Sequence, residues 1–217
     1  MCFSATASFV AAAATGIVGI ACLVRAPERR ELPLAAVPAV FAVQQAIEGL
    51  LWLTLPVAPD GAAATALTLA FLLIAAVFWP VYAPVAALLV ETVPWRGRAI
   101  ALCLAAGIAV ALTMLWTILS GPHAAAVTEH HMVYVTGLQP SALIGLGYLA
   151  ATGVALLLSS RPAVMLLGAL VMIGSGTAFT IYWEAFTSVW CFFAAAASLV
   201  ILGQFEWSHR RRRAVDA

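Results

Sequence analysis

Lysine and asparagine are absent from this chain, and charge of either sign is scarce: 9% of its 217 residues are Asp, Glu, Lys or Arg. A soluble domain carries about 25% charged residues, so there is too little charge here to build a soluble surface. The missing lysine excludes Schiff-base chemistry and a retinal chromophore, both of which need its amine. The missing asparagine excludes N-glycosylation. Cysteine is limited to Cys2, Cys22, Cys103 and Cys191, with no CxxC pair, no c-type haem motif and no iron–sulfur spacing. A net charge of +1, with no basic stretch interleaved with aromatics, excludes nucleic-acid binding. Both absent residues have A/T-rich codons, which points to a high-GC bacterial genome.

What is present is apolar. Hydrophobic residues make up 65% of the chain, and the mean hydropathy is +1.07. The expectation is an all-α, polytopic membrane bundle forming one domain over 1–217, with a basic tail at 206–217. A helix needs about 20 apolar residues to cross a hydrocarbon core of roughly 30 Å. Seven stretches qualify: 5–24, 33–55, 62–90, 99–119, 141–158, 163–183 and 185–205. The first reads as a span rather than a signal peptide, because no basic residue precedes it.

With seven spans, every arginine falls on one side. Arg25, Arg29 and Arg30 follow the first span, Arg96 and Arg98 the third, Arg161 the fifth, and Arg210 to Arg213 the seventh. The positive-inside rule then puts the N-terminus outside and the C-terminus in the cytoplasm of a bacterial inner membrane. The four terminal arginines beside Trp207 read as an anchor to anionic lipid headgroups. The span count matches rhodopsins, which the absent lysine excludes. It also matches membrane hydrolases of the ceramidase and adiponectin-receptor type, which hold zinc with histidines inside their helices. Here no His lies within an expected span.

An internal similarity links the first and fifth spans. Ala13-Ala14-Thr15-Gly16, an apolar run and Arg25-Ala26-Pro27 parallel Ala150-Ala151-Thr152-Gly153, an apolar run and Arg161-Pro162. The spacing from Gly16 to Glu48 nearly matches that from Gly153 to Glu184. A 3+1+3 parallel repeat fits this, and so does chance likeness between Ala-rich helices.

Chemistry concentrates on a few residues. Glu48 lies inside the second span in Gln44-Gln45-Ala46-Ile47-Glu48-Gly49. An ionised carboxylate at a helix centre costs about 2.5–3.5 kcal/mol on insertion scales, so such a residue is a candidate for function. Gln44 and Glu48 share a helix face and Gln45 flanks it. These groups suit a cation, a proton or a polar ligand; structural hydrogen bonding between helices is the bland alternative. Glu184, at the turn between spans six and seven, is either hydrated or the second carboxylate of an outward-opening cavity. Tyr182, Trp183 and Trp52 read as an interfacial aromatic belt.

The long loop before the fifth span holds His123, Glu129, His130 and His131. It reads either as a metal site or as a lid buried over the helices. His209 belongs to the tail. Cys22 and Cys103 read as packing residues, and Cys191 lies toward the outer end of the seventh span. Cys2, with Ser4 nearby, is a candidate soft-metal ligand at the mouth of the bundle, or part of an untethered tail. Gly174-Ser175-Gly176 marks either a tight helix crossing or an unwound point.

The opening Met-Cys-Phe-Ser-Ala-Thr-Ala-Ser-Phe, followed by Gln-Gln-x-x-Glu-Gly in the second span, resembles a family of uncharacterised bacterial integral membrane proteins. The resemblance implies that the N-terminal segment and the second span belong to one site, and it supplies no activity. Three readings stand open. The first is a small transporter or an ion- or ligand-binding membrane protein using Glu48, Gln44, Gln45 and Glu184. The second is a metal-dependent membrane enzyme or redox protein whose outer site combines Cys2, Ser4, Glu48, Glu184 and His131, with a divalent metal on Cys2, His130 and His131. The third is a non-catalytic scaffold. The balance leans away from an enzyme.

Overall fold

The computed structural model describes residues 4–26, 28–128, 131–136, 141–181, 195 and 197–206. The architecture is mostly helical: α1 (Ala5–Arg25), α2 (Leu32–Thr54), α3 (Ala62–Val90), α4 (Pro94–Ser120), α5 (Ala142–Leu157) and α6 (Pro162–Ile181), with a further helical segment at 199–206. Four stretches are long and apolar enough to cross a membrane: α1, the run from Arg29 through α2, α3 and α4. Their outer faces present large apolar side chains, among them Ile17, Val43, Leu102 and Leu112.

The all-α expectation needs one correction. A two-stranded antiparallel sheet, β1 (His123–Thr128) and β2 (His131–Thr136), fills the loop between α4 and α5. The β-branched and aromatic residues of His131-Met132-Val133-Tyr134-Val135-Thr136 favour a pleated strand, and pairing with β1 satisfies its backbone. The loop is therefore a hairpin packed on the helices, with Met132 fully buried. Two element bounds also move: α4 begins at Pro94, a favoured first helical residue, and α6 at Pro162. The expected seventh span falls mostly outside the described residues.

Proline shapes α3. Pro80 has no N–H to give and its ring crowds the carbonyl four residues back. The helix responds by widening to π geometry over Leu73–Phe78, with the Trp79 N–H reaching back to Ile74. The Ala75 carbonyl loses its usual donor in this register, and the Tyr148 hydroxyl of α5 fills the vacancy. One turn later Pro84 likewise leaves the Pro80 carbonyl without its helical donor. The α4 backbone approaches that oxygen so closely at Gly107 that a Cβ there would overlap it. The second π segment, Ala150–Val154 in α5, surrounds Thr152, whose hydroxyl donates to the Tyr148 carbonyl at 2.9 Å.

The described arginines gather at one end of the bundle, where three of them close helix termini. Arg25 donates to Ala21 in the last turn of α1, at 3.1 Å. Arg161 reaches the Val90 carbonyl that ends α3, at 3.1 Å, and pairs with buried Glu31 at 2.7 Å. Arg96 donates to Leu158 and Ser159 just beyond α5. Cations at helix C-termini answer both the orphan carbonyls and the dipole. Glu91 completes the end, accepting from the Thr92 and Val93 N–H groups and from both the N–H and hydroxyl of Ser160. Burial pushes the Glu91 carboxyl up, but the hydrogen bonds from Ser160, Val93 and Thr92 outweigh it and hold the group down at about 2.

The two hairpins α1–α2 and α5–α6 share a detail of the proposed repeat. Thr15 and Thr152 are both buried and both donate to the carbonyl four residues back. Their packing registers differ, however. A Cβ at Gly16 would meet Ala42 and one at Gly19 would meet Ala39, whereas Gly153 faces Met172 and Gly168 faces Leu156. The backbone of α6 runs helical through Gly174-Ser175-Gly176, so no unwinding occurs there.

Two outcomes follow. Gly107→Ala will lower stability by about 1–3 kcal/mol in unfolding of the lipid- or detergent-held protein, through forced overpacking; Gly145→Ala, where a Cβ meets nothing within 4 Å, will not. The Glu91 carboxyl is depressed from 4.5 to about 2 on folding, so its stabilisation is complete above the unfolded value and is lost as pH falls toward 2. Acid titration of Glu91→Gln will show a shallower loss of stability across that window than the parent chain.

Candidate functional site

The opposite end of the bundle holds the polar residues of α2. Gln44, Gln45 and Glu48 are all 0% exposed, on a helix clasped between α1 and the α3 segment around Trp79. The Trp79 indole N–H donates to the Gln44 amide oxygen at 2.7 Å, and its ring stacks on Phe41 with centroids 4.1 Å apart. Trp79 is the residue just beyond the π segment, so the widening that Pro80 imposes also sets where this donor points.

Gln45 is placed differently. Both its amide nitrogen and its amide oxygen are buried and meet no hydrogen-bond partner among the described residues. The Trp52 indole N–H, one turn beyond Glu48 on the same face, is in the same condition, as is the Ser8 hydroxyl of α1. Thr15, Thr113, Thr152 and Ser175 turn their hydroxyls back to their own helix; Ser8 does not. Packing of the Phe9 ring against Gly49 brings Ser8 level with this stretch of α2.

The hairpin covers the group. Successive residues of a strand face opposite sides, so Met132 and Tyr134 point one way and His131 the other. Tyr134 stacks on Phe71 of α3 at 4.2 Å, with the rings nearly parallel at 2°. Its hydroxyl donates to Glu48 Oε1 at 3.4 Å, long for an O–H···O bond. His123 pairs with Thr136 and so shares the Tyr134 face. Both of its ring nitrogens are buried without a hydrogen-bond partner among the described residues.

The structure thus brings Gln44, Gln45 and Glu48 together, as the spacing requires, and adds Ser8, Trp52, Trp79 and Tyr134, with His123 on the Tyr134 face of the hairpin. Among the loop histidines, His123 and not His131 lies on the face that carries Tyr134. Glu184, Cys2 and His130 lie outside the described residues, as do Cys191 and the Arg210–Arg213 tail. Among the described residues no three His, Cys, Asp or Glu side chains gather as metal ligands. Cys22 is buried in the core and Cys103 is half-buried, both as free thiols. Tyr134 was the residue hardest to anticipate. The alternating pattern of β2 signals a strand, but only the packed hairpin shows which face meets Glu48.

The Gln44–Trp79 bond can be measured. Trp79→Phe keeps an aromatic ring against Phe41 and removes the donor, which will cost about 1–3 kcal/mol in unfolding. An unchanged stability would show that the bond does not hold α2 to α3.

No curated protein and no solved structure matches the chain. Across residues 1–217, however, it matches the family described as Family of unknown function (DUF6629). The full-length match makes the chain a member of that family.

Proposed function

We propose that the protein is a seven-span membrane protein, N-terminus outside and C-terminus cytoplasmic, that binds or carries an ion or a small polar ligand through Glu48. The observation that carries this reading is the Glu48 carboxyl, wholly buried on α2 within a group whose neighbour Gln45 has hydrogen-bonding capacity that no described residue uses. A scaffold would favour saturated polar contacts or none, because each unmet buried group costs about 1–3 kcal/mol. Unmet capacity beside a buried carboxyl is what a site awaiting an occupant retains.

The membrane assignment is supported by the four long apolar helices and by the apolar side chains on their outer faces. Its orientation is supported by the arginines, which cap helices at one end and leave the hairpin at the other. The hairpin then lies on the outer side, as a cover through which the occupant passes.

The test is ion-linked stability of the protein in lipid nanodiscs. An occupant at hundredfold excess over its Kd adds about 2.7 kcal/mol to stability. The unfolding temperature of the wild type will therefore shift with added sodium, or with pH above the range in which Glu91 titrates, and Glu48→Gln, similar in shape, will fold and lose that shift. A shift of equal size in Glu48→Gln would remove Glu48 as the binding group.

A further inference from the structure

The unused polar atoms around Glu48 differ in kind, and the difference selects the occupant. The Trp52 Nε1 and Gln45 Nε2 atoms can only donate, while the Gln45 oxygen, the Ser8 hydroxyl and one nitrogen of a neutral His123 can accept. A hard metal ion takes six or more oxygens, and inward N–H groups oppose it. Among the described residues the side-chain oxygens of this group are those of Ser8, Gln45, Glu48 and Tyr134, the Gln44 oxygen being taken by Trp79. Water both donates and accepts, and buried water makes about three bonds to groups of this kind.

These atoms also form a path. Gln45, Glu48 and Trp52 follow one stripe of α2 at i, i+3 and i+7, and Ser8 joins from α1 at the level of Gly49. His123 stands diagonally across the hairpin from Tyr134, where side chains lie roughly 7–8 Å apart, and Tyr134 touches Glu48.

Resting on the ion-carrying reading of Glu48, we propose that the ion is a proton, which reaches Glu48 from the outer side through His123 and water held by Gln45, Ser8 and Trp52. When the hairpin yields, one ring nitrogen of His123 takes a proton from the outer side while the other releases one to the first water. Each water passes a proton on, and the last bonds to a Glu48 carboxylate oxygen. One proton moves, no other bond is made or lost, and ring reorientation resets the histidine. Among the described residues the titratable groups facing this path are Glu48 of α2 and Tyr134 of β2. The stretch of α3 beneath β1, Ala62–Leu72, contributes none, and His131 lies on the other face of the hairpin.

Infrared spectroscopy of the full chain in lipid tests this, with the proton and deuteron as probes. A protonated-carboxyl stretch will be present in the wild type and absent from Glu48→Gln. Its hydrogen–deuterium exchange will slow by about tenfold or more in His123→Ala and recover with added imidazole. Gln45→Met, which leaves the hairpin untouched, will slow the same exchange. Exchange at the wild-type rate in both variants would overturn the path. Loss of the band on adding sodium at fixed pH would show a metal cation at Glu48, overturning the proton while leaving the ion-carrying reading intact. A band absent from the wild type at every pH, with sodium without effect on stability, would overturn both.

Discussion

Polar side chains inside a bundle this apolar must find their partners within the protein, and the Trp79–Gln44 bond is where that constraint shapes the rest. Its origin lies in backbone chemistry. Pro80 cannot donate, α3 widens to π geometry, and Trp79 is set at the point where the helix resumes. From there the indole reaches Gln44 and braces α2. With Gln44 committed to α3, the adjacent Gln45 is left with an amide that no described residue meets, and Glu48 follows one turn on. A proline in one helix thereby sets the division of labour between two neighbouring glutamines in another.

The two ends of the bundle answer different demands. At the arginine end three helices terminate, and Arg25, Arg96 and Arg161 close their carbonyls while Glu31 and Glu91 bind the connecting segments. The same arginines that argue for orientation thus do structural work that accounts for their positions. At the other end the hairpin seals the bundle through Met132 and through Tyr134 on Phe71. One end is locked by charge and hydrogen bonds and the other by a small two-stranded cover, so the cover is the end that can yield.

The apolar runs made the helices legible, and α3 occupies the very stretch from Ala62 to Val90 that hydropathy marks out. Glu48 was legible too, because a lone carboxyl in such a run stands out. The hairpin was not, since its alternation lies in a short segment that span counting treats as a loop. Nor was the choice of histidine: neighbouring His130 and His131 look like ligands in one dimension, whereas strand pairing turns His123 toward Tyr134. The likeness between the first and fifth spans survives at Thr15 and Thr152. The glycines of the two hairpins pack against different neighbours, because helix packing registers are set by local contacts that sequence spacing does not reveal.

On the proposed reading Glu48 is a carboxyl with an exchangeable occupant rather than a permanently satisfied strut. Its carboxyl carbon resonance in isotopically labelled protein reports this directly, followed by solid-state NMR in lipid bilayers and identified by its loss in Glu48→Gln. The account predicts that the resonance moves as pH or sodium is varied while the fold is retained. A resonance that stays fixed across the whole range in which the protein remains folded would contradict it.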